Sequence, residues 1–169
     1  MDDYTFQPLR NKYFHFYNLK LAIKECQIKL FDCKMNETKL IELPKMVDPR
    51  GNLSFIQSGS QVPFTIERTY WIYDVPGGEM RGGHAFYEMQ EFIVALSGSF
   101  DVVLDDGVSK NIISLNRSYR GVYIPKMIWR SLENFSTNSL ALVLSDQPYN
   151  VNDYIRDYDL YLKLKSENQ

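Results

Sequence analysis

From residue 40 onward, apolar and polar side chains alternate in short runs, which is the pattern of β-strands with one buried face. The runs are rich in Val, Ile, Tyr and Phe and are separated by glycine-containing turn signals. Many short strands at even spacing are typical of a closed or two-sheet antiparallel barrel. The pattern therefore predicts an all-β jelly-roll barrel, with strands at residues 53–57, 65–73, 91–96, 100–104, 110–115, 121–124 and 140–145.

Two local signals refine this prediction. Asp105-Asp106-Gly107 predicts a hairpin turn, because Asp-Gly supplies the positive φ values that a tight turn demands. The last segment, residues 151–165, carries Tyr, Ile and Leu at roughly helical spacing. We expect it to close the domain as a C-terminal helix or an extended tail.

The N-terminal segment differs from the rest of the chain. Residues 19–31 mix alternation with helical spacing, so periodicity does not decide between strand and helix. Met35 opens a stretch that reads like the natural start of the barrel. We therefore divide the chain into an N-terminal accessory arm, residues 1–35, and a β-barrel domain, residues 36–169, and assign no chemistry to the arm.

Composition narrows the classes of function. With 169 residues the chain suits one domain, and its net charge of −2 is unlike the basic footprint of nucleic-acid-binding proteins. No apolar run approaches the roughly 20 residues that span a bilayer, and the acidic start is unlike a secretory signal. Cys26 and Cys33 form no Cys-x-x-Cys pair, which favours reduced thiols. We expect a cytoplasmic enzyme or binding domain without nucleic-acid or membrane partners.

His84 lies within a spacing typical of a metal site. The first signature of the cupin barrels, Gly-x5-His-x-His-x4-Glu-x6-Gly, is matched by Gly78, His84, Phe86, Glu91 and Gly98, with Phe86 replacing the second histidine. The second cupin signature, Pro-x-Gly-x2-His-x3-Asn, is similar to the run that contains Pro125, Met127, Arg130 and Asn134. Its glycine and its histidine are both missing.

The residues at the four ligand positions predict a barrel without a metal or other cofactor. A divalent ion needs three or four donor atoms aimed at one point, and only His84 and Glu91 supply them here. Phe86 has no lone pair and Arg130 has no acceptor, which disfavours a metal-dependent dioxygenase. Two interpretations of Arg130 remain open: it neutralises Glu91 in place of an ion, or it extends to solvent beside an ordinary carboxylate at the barrel mouth.

A more specific resemblance runs from about residue 39 to 162. The chain resembles the sugar nucleotide 3,4-ketoisomerases in an ordered set of motifs: DPRGNL at 48–53, PFTI at 63–66, RTYWIYD at 68–74, RGGHA at 81–85, LDDG at 104–107, GVYIP at 121–125, Trp129 and DYIRDY at 153–158. The resemblance implies a metal-free cupin that isomerises a dTDP-4-keto-6-deoxyhexose for deoxysugars of cell-surface polysaccharides. It also implies a homodimer, and the exposed strand expected at 65–73 offers an edge that can pair across a two-fold axis.

His84 matches the first histidine of the family's His-Ala-His motif and is therefore the expected catalytic base. A hydrogen on carbon 3 of a 4-ketosugar is acidic because its loss gives an enediolate, and a histidine can take that proton and return it to carbon 4. The other histidine, His15, lies in the N-terminal arm.

Motif position also indicates the remaining site residues. Tyr70, Tyr73, Arg81 and Tyr123 are the candidate donors to the enediolate oxygens, with Tyr70 and Tyr73 as catalytic residues. Arg50 and Arg81 suit the diphosphate, because a guanidinium binds phosphate with two hydrogen bonds. Glu91, Tyr123, Trp129 and Arg130 complete the expected substrate-binding set. The structural alternatives are that the tyrosines are half-buried wall residues and that Arg50 ties down a turn.

Three positions depart from the family pattern: Phe86 for the second histidine, Glu91 for glutamine and Arg130 for the histidine after Trp129. Phe86 removes a possible proton shuttle. We hypothesise that Glu91 compensates by accepting a hydrogen bond from His84 and raising its basicity. Three functions stay open: an active 3,4-ketoisomerase, a non-catalytic sugar nucleotide binding module, and a 3- or 3,5-epimerase-like activity on the same substrate class.

Overall fold

Two antiparallel sheets of five strands each make up the barrel domain in the computed structural model, which describes residues 35–167. The order is β1-β7-β4-β9-β2 in the first sheet and β10-β3-β8-β5-β6 in the second. The strands are β1 Lys39–Glu42, β2 Arg68–Ile72, β3 Arg81–Phe86, β4 Glu91–Ser97, β5 Phe100–Asp105, β6 Lys110–Leu115, β7 Arg120–Ile124, β8 Trp129–Glu133, β9 Leu140–Ser145 and β10 Tyr154–Ile155. One α-helix, α1 at Tyr158–Ser166, and short 3₁₀ turns at Met35–Glu37 and Val151–Asp153 complete the described elements. The predicted all-β jelly-roll class is confirmed.

The core lies between the two sheets and follows the alternation of the strands. In β4, Ile93 and Ala95 point into a cluster that also holds Val102 and Leu104 of β5 and Leu132 of β8. Successive side chains of a strand point to opposite faces, so one inward set from each sheet fills the space between them. The same rule places the first residue of β4, Glu91, in the barrel interior.

The outer face of the first sheet is covered by the chain between β1 and β2. Leu43, Val62 and Phe64 from this connection pack on Phe92 and Val94, the outward residues of β4. The predicted strand at 53–57 is wrong, since Leu53 forms only an isolated bridge with Met46. Alternation alone suggested a strand there, but the exposed apolar face of the sheet recruits this segment as an irregular cover.

Helix α1 covers part of the outer face of the second sheet. Tyr161 is buried against Met127 and Ile155, and its hydroxyl donates to the Asp105 carbonyl at 2.7 Å. Asp157 caps the helix, its side chain accepting hydrogen bonds from the first-turn N–H groups. Of the C-terminal segment predicted at 151–165, the part from Tyr158 forms the helix, whereas Val151–Asp153 is a 3₁₀ turn and Tyr154–Ile155 is a strand. None of the helices in the described range is long and apolar enough to cross a bilayer.

Strands β3 and β8 were missed from the sequence, and the hairpin at 105–107 was found. The β5–β6 hairpin closes with Gly107 at φ +90°. In β3 and β8 the expected alternation is interrupted, because Gly82-Gly83 lacks side chains and Arg130 occupies an inward position. The predicted arm lies outside the described residues apart from Met35, and the division at residue 36 stays a prediction.

Candidate active site

A bulge in β3 positions His84 on the inner wall. The β3–β8 register shifts between Gly82 and His84, so that His84 lies directly opposite Arg130. Gly82 has φ +87°, and a Cβ at this position would lie 2.5 Å from Nη1 of Arg130. A glycine is therefore required both by the backbone and by the guanidinium beside it.

Arg130, Glu91 and Tyr70 form a buried network across the two sheets. Arg130 donates through Nε at 2.9 Å and Nη2 at 2.8 Å to Oε2 of Glu91, and both side chains are only 2% exposed. The Tyr70 hydroxyl donates to Oε1 of Glu91 at 2.5 Å and accepts from Nη2 of Arg130 at 3.1 Å. Of the two interpretations left open by the sequence, the first is the one observed: Arg130 neutralises Glu91 inside the barrel.

The network fixes the charge state of its members. Burial acts to lower the pKa of Arg130, but the Glu91 carboxylate and the Tyr70 hydroxyl outweigh it and raise that pKa above its usual range. Burial, followed by the charge of Glu91, raises the pKa of Tyr70. Tyr70 is therefore a neutral phenol whose hydroxyl donates a hydrogen bond to Glu91, and Arg130 is a cation.

The hypothesis that Glu91 accepts a hydrogen bond from His84 is wrong. The acceptor oxygens of Glu91 are engaged by Tyr70 and Arg130, and the pKa of His84 is lowered to about 3 rather than raised. Burial is the largest cause of this shift, followed by the positive charges of Arg130 and Arg156. Glu91 on β4 and Arg130 on β8 meet across the interior between the two sheets, so the guanidinium is the partner of the carboxylate.

His84 is enclosed by aromatic rings and keeps one nitrogen without a partner. Its ring centroid lies 4.8 Å from that of Phe86, edge to face, and 4.9 Å from that of Tyr154. Nε2 is buried and makes no hydrogen bond, whereas a hydrogen bond to the Gly82 backbone tends to raise the pKa. Because Nε2 has no partner, that bond belongs to Nδ1, which leaves the Nε2 lone pair of the neutral ring available as a base.

The three departures from the family pattern contact one another. Glu91 and Arg130 form the ion pair, and the Arg130 guanidinium carbon lies 5.8 Å from the centroid of the Phe86 ring. An aromatic face stabilises a cation at this range. The changes at residues 86, 91 and 130 therefore form one physical unit.

Sequence reasoning gave no role to Arg68, Tyr149 or Tyr154, which the structure brings to the same region. Arg68 lies on β2, two residues before Tyr70, and its Nη2 donates to the Tyr154 hydroxyl at 3.4 Å. Its guanidinium also lies over the rings of Tyr70 and Tyr149, at 4.6 and 5.4 Å. The alternation of Arg68, Tyr70 and Ile72 on one face was the signal available in the sequence.

The two arginines predicted for the diphosphate are both exposed. Arg50 forms a two-bond pair with Asp48, through Nε at 2.9 Å and Nη2 at 3.0 Å, in a turn that Gly51 completes. This pair raises the pKa of Arg50 and lowers that of Asp48, so Arg50 at least ties down its own turn. Arg81 lies at the start of β3, paired with Leu132 and three residues before His84.

Three predicted aromatic residues lie on outer faces of the sheets and are not brought together with His84. Tyr73 follows β2 and is exposed beside Trp71 in a shallow groove. Tyr123 packs in the outer cluster of the first sheet and hydrogen-bonds to Gln90. Trp129 packs under helix α1, 5.0 Å from the Tyr158 ring.

Among residues 35–167, no group of three His, Cys, Asp or Glu side chains is arranged to hold a metal ion. The two candidate ligands within the barrel signature are His84 and Glu91, and the carboxylate is occupied by Arg130. What the arrangement provides is a neutral imidazole base beside a rigid and internally neutralised ion pair.

The chain is similar to known proteins over most of its length. Residues 36–166 match the family model described as FdtA: WxcM-like, C-terminal. The TDP-4-oxo-6-deoxy-alpha-D-glucose-3,4-oxoisomerase of Aneurinibacillus thermoaerophilus is 38% identical over 127 residues, covering 75% of this chain and 91% of that protein. A 3,4-ketoisomerase from Helicobacter canadensis superposes with a TM-score of 0.75 at 38% identity, covering 77% of this chain and 98% of the other.

A third relative was solved with a ligand. The sugar 3,4-ketoisomerase QdtA from Thermoanaerobacterium thermosaccharolyticum, in complex with TDP, gives a TM-score of 0.77 at 30% identity, covering 79% of this chain and 98% of the other. The family match spans most of the chain, and the relatives are covered almost completely. The chain therefore belongs to the FdtA, WxcM-like C-terminal family of sugar 3,4-ketoisomerase relatives.

Proposed function

We propose that this protein is a 3,4-ketoisomerase that moves the keto group of a TDP-4-keto-6-deoxyhexose from carbon 4 to carbon 3. Family membership supports the reaction, since a relative at 38% identity is named for it. The observation in the chain itself that carries the proposal is His84. Its Nε2 is a buried, unpartnered nitrogen on a neutral ring, held on the inner wall of the barrel.

His84 is the proposed base for both carbon–hydrogen steps. Nε2 takes the hydrogen of carbon 3 as a proton, and the C–H electron pair forms the enediolate. The proton of the 3-hydroxyl passes to oxygen 4, and the imidazolium returns its proton to carbon 4. The keto group then stands at carbon 3, and no external oxidant or reductant is consumed.

The low pKa of His84 fits this role in the resting protein. With a pKa near 3 the ring is neutral across the ordinary working range, so the base form is fully populated. An enediolate that forms beside the ring stabilises the imidazolium, because an opposite charge at short range favours the charged form. Proton transfer and charge development then support each other.

Tyr70, Glu91 and Arg130 are proposed to position the site. The hydroxyl hydrogen of Tyr70 is already used in the hydrogen bond to Glu91. We therefore assign Tyr70 to holding the network in place rather than to donating a proton to the substrate. Arg130 places a fixed positive charge opposite His84 on the neighbouring strand. Arg81, three residues before His84, remains the proposed contact for the diphosphate. The substrate-binding roles of Arg50, Tyr73, Tyr123 and Trp129 stay predictions, because these side chains lie away from His84 within one chain.

A second candidate function is sugar nucleotide binding without turnover. The observation that favours it is Phe86, which packs edge to face on both His84 and Tyr154 where relatives carry a second histidine. If two imidazoles are needed for proton transfer, this barrel keeps the pocket and loses the reaction. The two candidates differ in carbon–hydrogen exchange and not in nucleotide binding.

The deciding experiment follows TDP-4-keto-6-deoxyglucose in D₂O by NMR, alongside calorimetric binding of TDP. We expect a 3-keto product, with deuterium at carbon 4 in the fraction of turnovers in which the imidazolium exchanges its proton with solvent before returning it. The turnover rate should be at least about 100-fold lower in His84→Asn, with TDP affinity unchanged. Binding of TDP with neither a 3-keto product nor deuterium uptake would replace the isomerase with the binding module. Deuterium at carbon 3 or 5 in a product that keeps the 4-keto group and has inverted configuration would indicate an epimerase instead.

We also infer a cytoplasmic homodimer that serves deoxysugar synthesis for cell-surface polysaccharides. Strand β2 is an edge of the first sheet, and its outward residue Trp71 is exposed. A free strand edge can pair with the same edge of a second copy around a two-fold axis. Light scattering of the purified protein should give the mass of a dimer, and the mass of a monomer at all concentrations would contradict this part of the proposal.

A further inference from the structure

Arg68 carries hydrogen-bond donors that have no acceptor among the described residues. Its Nε and Nη1 are buried from solvent and have no hydrogen-bond partner, and Nη2 makes a long bond of 3.4 Å to the Tyr154 hydroxyl. Buried polar groups in folded proteins are nearly always paired, and the exceptions call for an explanation. A guanidinium with two unpaired buried donors is a strong exception, because its charge raises the cost of lost hydration.

The position of Arg68 is nevertheless well defined. Its guanidinium lies against the faces of the Tyr70 and Tyr149 rings, at 4.6 and 5.4 Å. These contacts hold a cation by its flat face and leave the N–H groups in its plane available. Burial acts to lower the pKa of Arg68, but Tyr154, Tyr70 and Glu91 together raise it, so the group is charged.

The other buried guanidinium of the site has already used its donors. Arg130 directs Nε and Nη2 to Glu91, and Glu91 is saturated by Arg130 and Tyr70. That carboxylate is therefore not the missing acceptor of Arg68. Acceptor atoms brought by a ligand would satisfy these donors.

The surroundings of Arg68 connect it to the proposed base. Tyr154 accepts the hydrogen bond from Arg68, and its ring lies 4.9 Å from the ring of His84. Tyr70, whose ring supports Arg68, is bonded to Glu91 and Arg130. One side chain, Tyr154, therefore separates Arg68 from the imidazole on the first route, and two side chains, Tyr70 and Arg130, separate them on the second.

We propose that Arg68 is a substrate-binding residue whose unpaired N–H groups, on Nε and Nη1, donate to anionic oxygens of the bound sugar nucleotide. The inference rests on the proposed function, which places a sugar nucleotide beside His84. Two oxygens have the required chemistry: an oxygen of the diphosphate, present in every bound state, and the enediolate oxygen, present only during turnover. Both are acceptors that a guanidinium N–H recognises.

The test measures TDP affinity and turnover in Arg68→Gln and Arg68→Lys. Gln removes the charge, and Lys keeps the charge while losing the planar pair of donors. The matched control is Arg120→Gln on β7, which makes the same change in an exposed pair with Glu42. Melting temperatures identify any variant that fails to fold, in which case Arg68→Lys carries the comparison.

Each outcome has a defined meaning. A loss of TDP affinity of about tenfold or more in Arg68→Gln, with a smaller loss in Arg68→Lys, supports the diphosphate as the partner. Unchanged TDP affinity with kcat lowered about 100-fold or more, in both variants, supports the enediolate. If affinity and kcat of both variants equal those of Arg120→Gln, the proposal is overturned.

The binding measurement separates this proposal from the proposed function. A wild-type protein that binds TDP but isomerises no 4-ketosugar contradicts the isomerase, while weakened TDP binding in Arg68→Gln would still support Arg68 as a binding residue. A wild-type protein without turnover, together with unchanged TDP binding in both Arg68 variants, would overturn both.

Discussion

Arg130 and Arg68 are two arginines on different sheets of one barrel, the first buried and the second half-buried, and their guanidinium donors differ in which acceptors they reach. Arg130 on β8 is paired with Glu91 through two nitrogens and bonded to Tyr70. Arg68 on β2 has two buried nitrogens without an acceptor and is held mainly by tyrosine rings. The Arg130 guanidinium finds its partners within the protein, and we propose that the Arg68 guanidinium finds them only when a ligand is bound.

The contrast between Arg130 and Arg68 concerns the positive charge that a metal ion would supply in a barrel with this signature spacing. Arg130 places positive charge beside Glu91, as an ion would, but its charge is fully compensated by the carboxylate. Arg68 on β2 is the arginine that we propose keeps donors available for a substrate, at a position that the metal signatures do not include.

The largest expected effect comes from breaking the satisfied pair. Arg130→Met leaves Glu91 buried without a counter-charge, and the loss of one partner of a buried pair costs about 3–5 kcal/mol of unfolding free energy. Urea unfolding at neutral pH measures this. Arg120→Met is the matched control, because its partner Glu42 is exposed, and it should cost less than about 1 kcal/mol. Equal losses in the two variants would show that the interior pair is not the stabilising feature described here.

A smaller effect is expected from Tyr70→Phe, which keeps the ring beneath Arg68 and removes the hydroxyl bonded to Glu91 and Arg130. Hydrogen bonds to charged groups contribute about 1.5–3 kcal/mol, so the unfolding free energy should fall by about 2 kcal/mol. Tyr149→Phe removes an exposed tyrosine's hydroxyl and serves as the control in the same urea titration, with a change below about 0.5 kcal/mol. A Tyr70→Phe protein as stable as Tyr149→Phe would mean that the network does not need its phenol.

The lowered pKa of His84, to which the charge of Arg130 contributes, predicts how the stability of the protein depends on pH. Burial, Arg130 and Arg156 lower the pKa of His84 from an ordinary 6.5 to about 3. Between these values the unfolded chain binds a proton that the folded chain does not, so stability falls as the pH drops below 6.5. The contribution is about 1.4 kcal/mol per pH unit, and His84→Asn should lose that part of the slope. Identical slopes from pH 6.5 to 5 in wild type and His84→Asn would contradict the lowered pKa.

Most of the fold was predictable because alternation reports which face of a strand is buried. The strands at β4, β5, β6, β7 and β9 were found this way, as was the hairpin at Gly107. The failures have physical causes: residues 53–57 alternate but cover an outer sheet face, and β3 contains two glycines and a bulge. Periodicity measures amphipathicity, and it does not say which apolar surface a segment will cover.

The site was predictable where a single motif holds it and unpredictable where strands have to be brought together. His84, Glu91 and Arg130 were chosen from signature spacings, and the structure places them side by side. The predicted hydrogen bond from His84 to Glu91 was wrong, because closure of the barrel brings Arg130 of β8 and Tyr70 of β2 to the carboxylate instead. Arg68 was missed although it alternates with Tyr70 and Ile72 on one face of β2, because alternation does not report that its Nε and Nη1 lack partners.

The smallest and most discriminating effect is expected at Arg68 itself. In the unliganded protein its two unpaired donors cost free energy, while its contacts with Tyr70 and Tyr149 return part of it. Arg68→Met keeps an unbranched apolar side chain between those rings and removes the unsatisfied charge, so we expect the protein to become more stable by up to about 1 kcal/mol. Arg130→Met lowers the unfolding free energy in the same urea titration, so the two substitutions have opposite effects. Saturating TDP should make the wild type more stable than Arg68→Met if Arg68 holds the diphosphate. A loss of stability at Arg68 as large as that at Arg130 would mean that both arginines are structural and that the contrast between them does not exist.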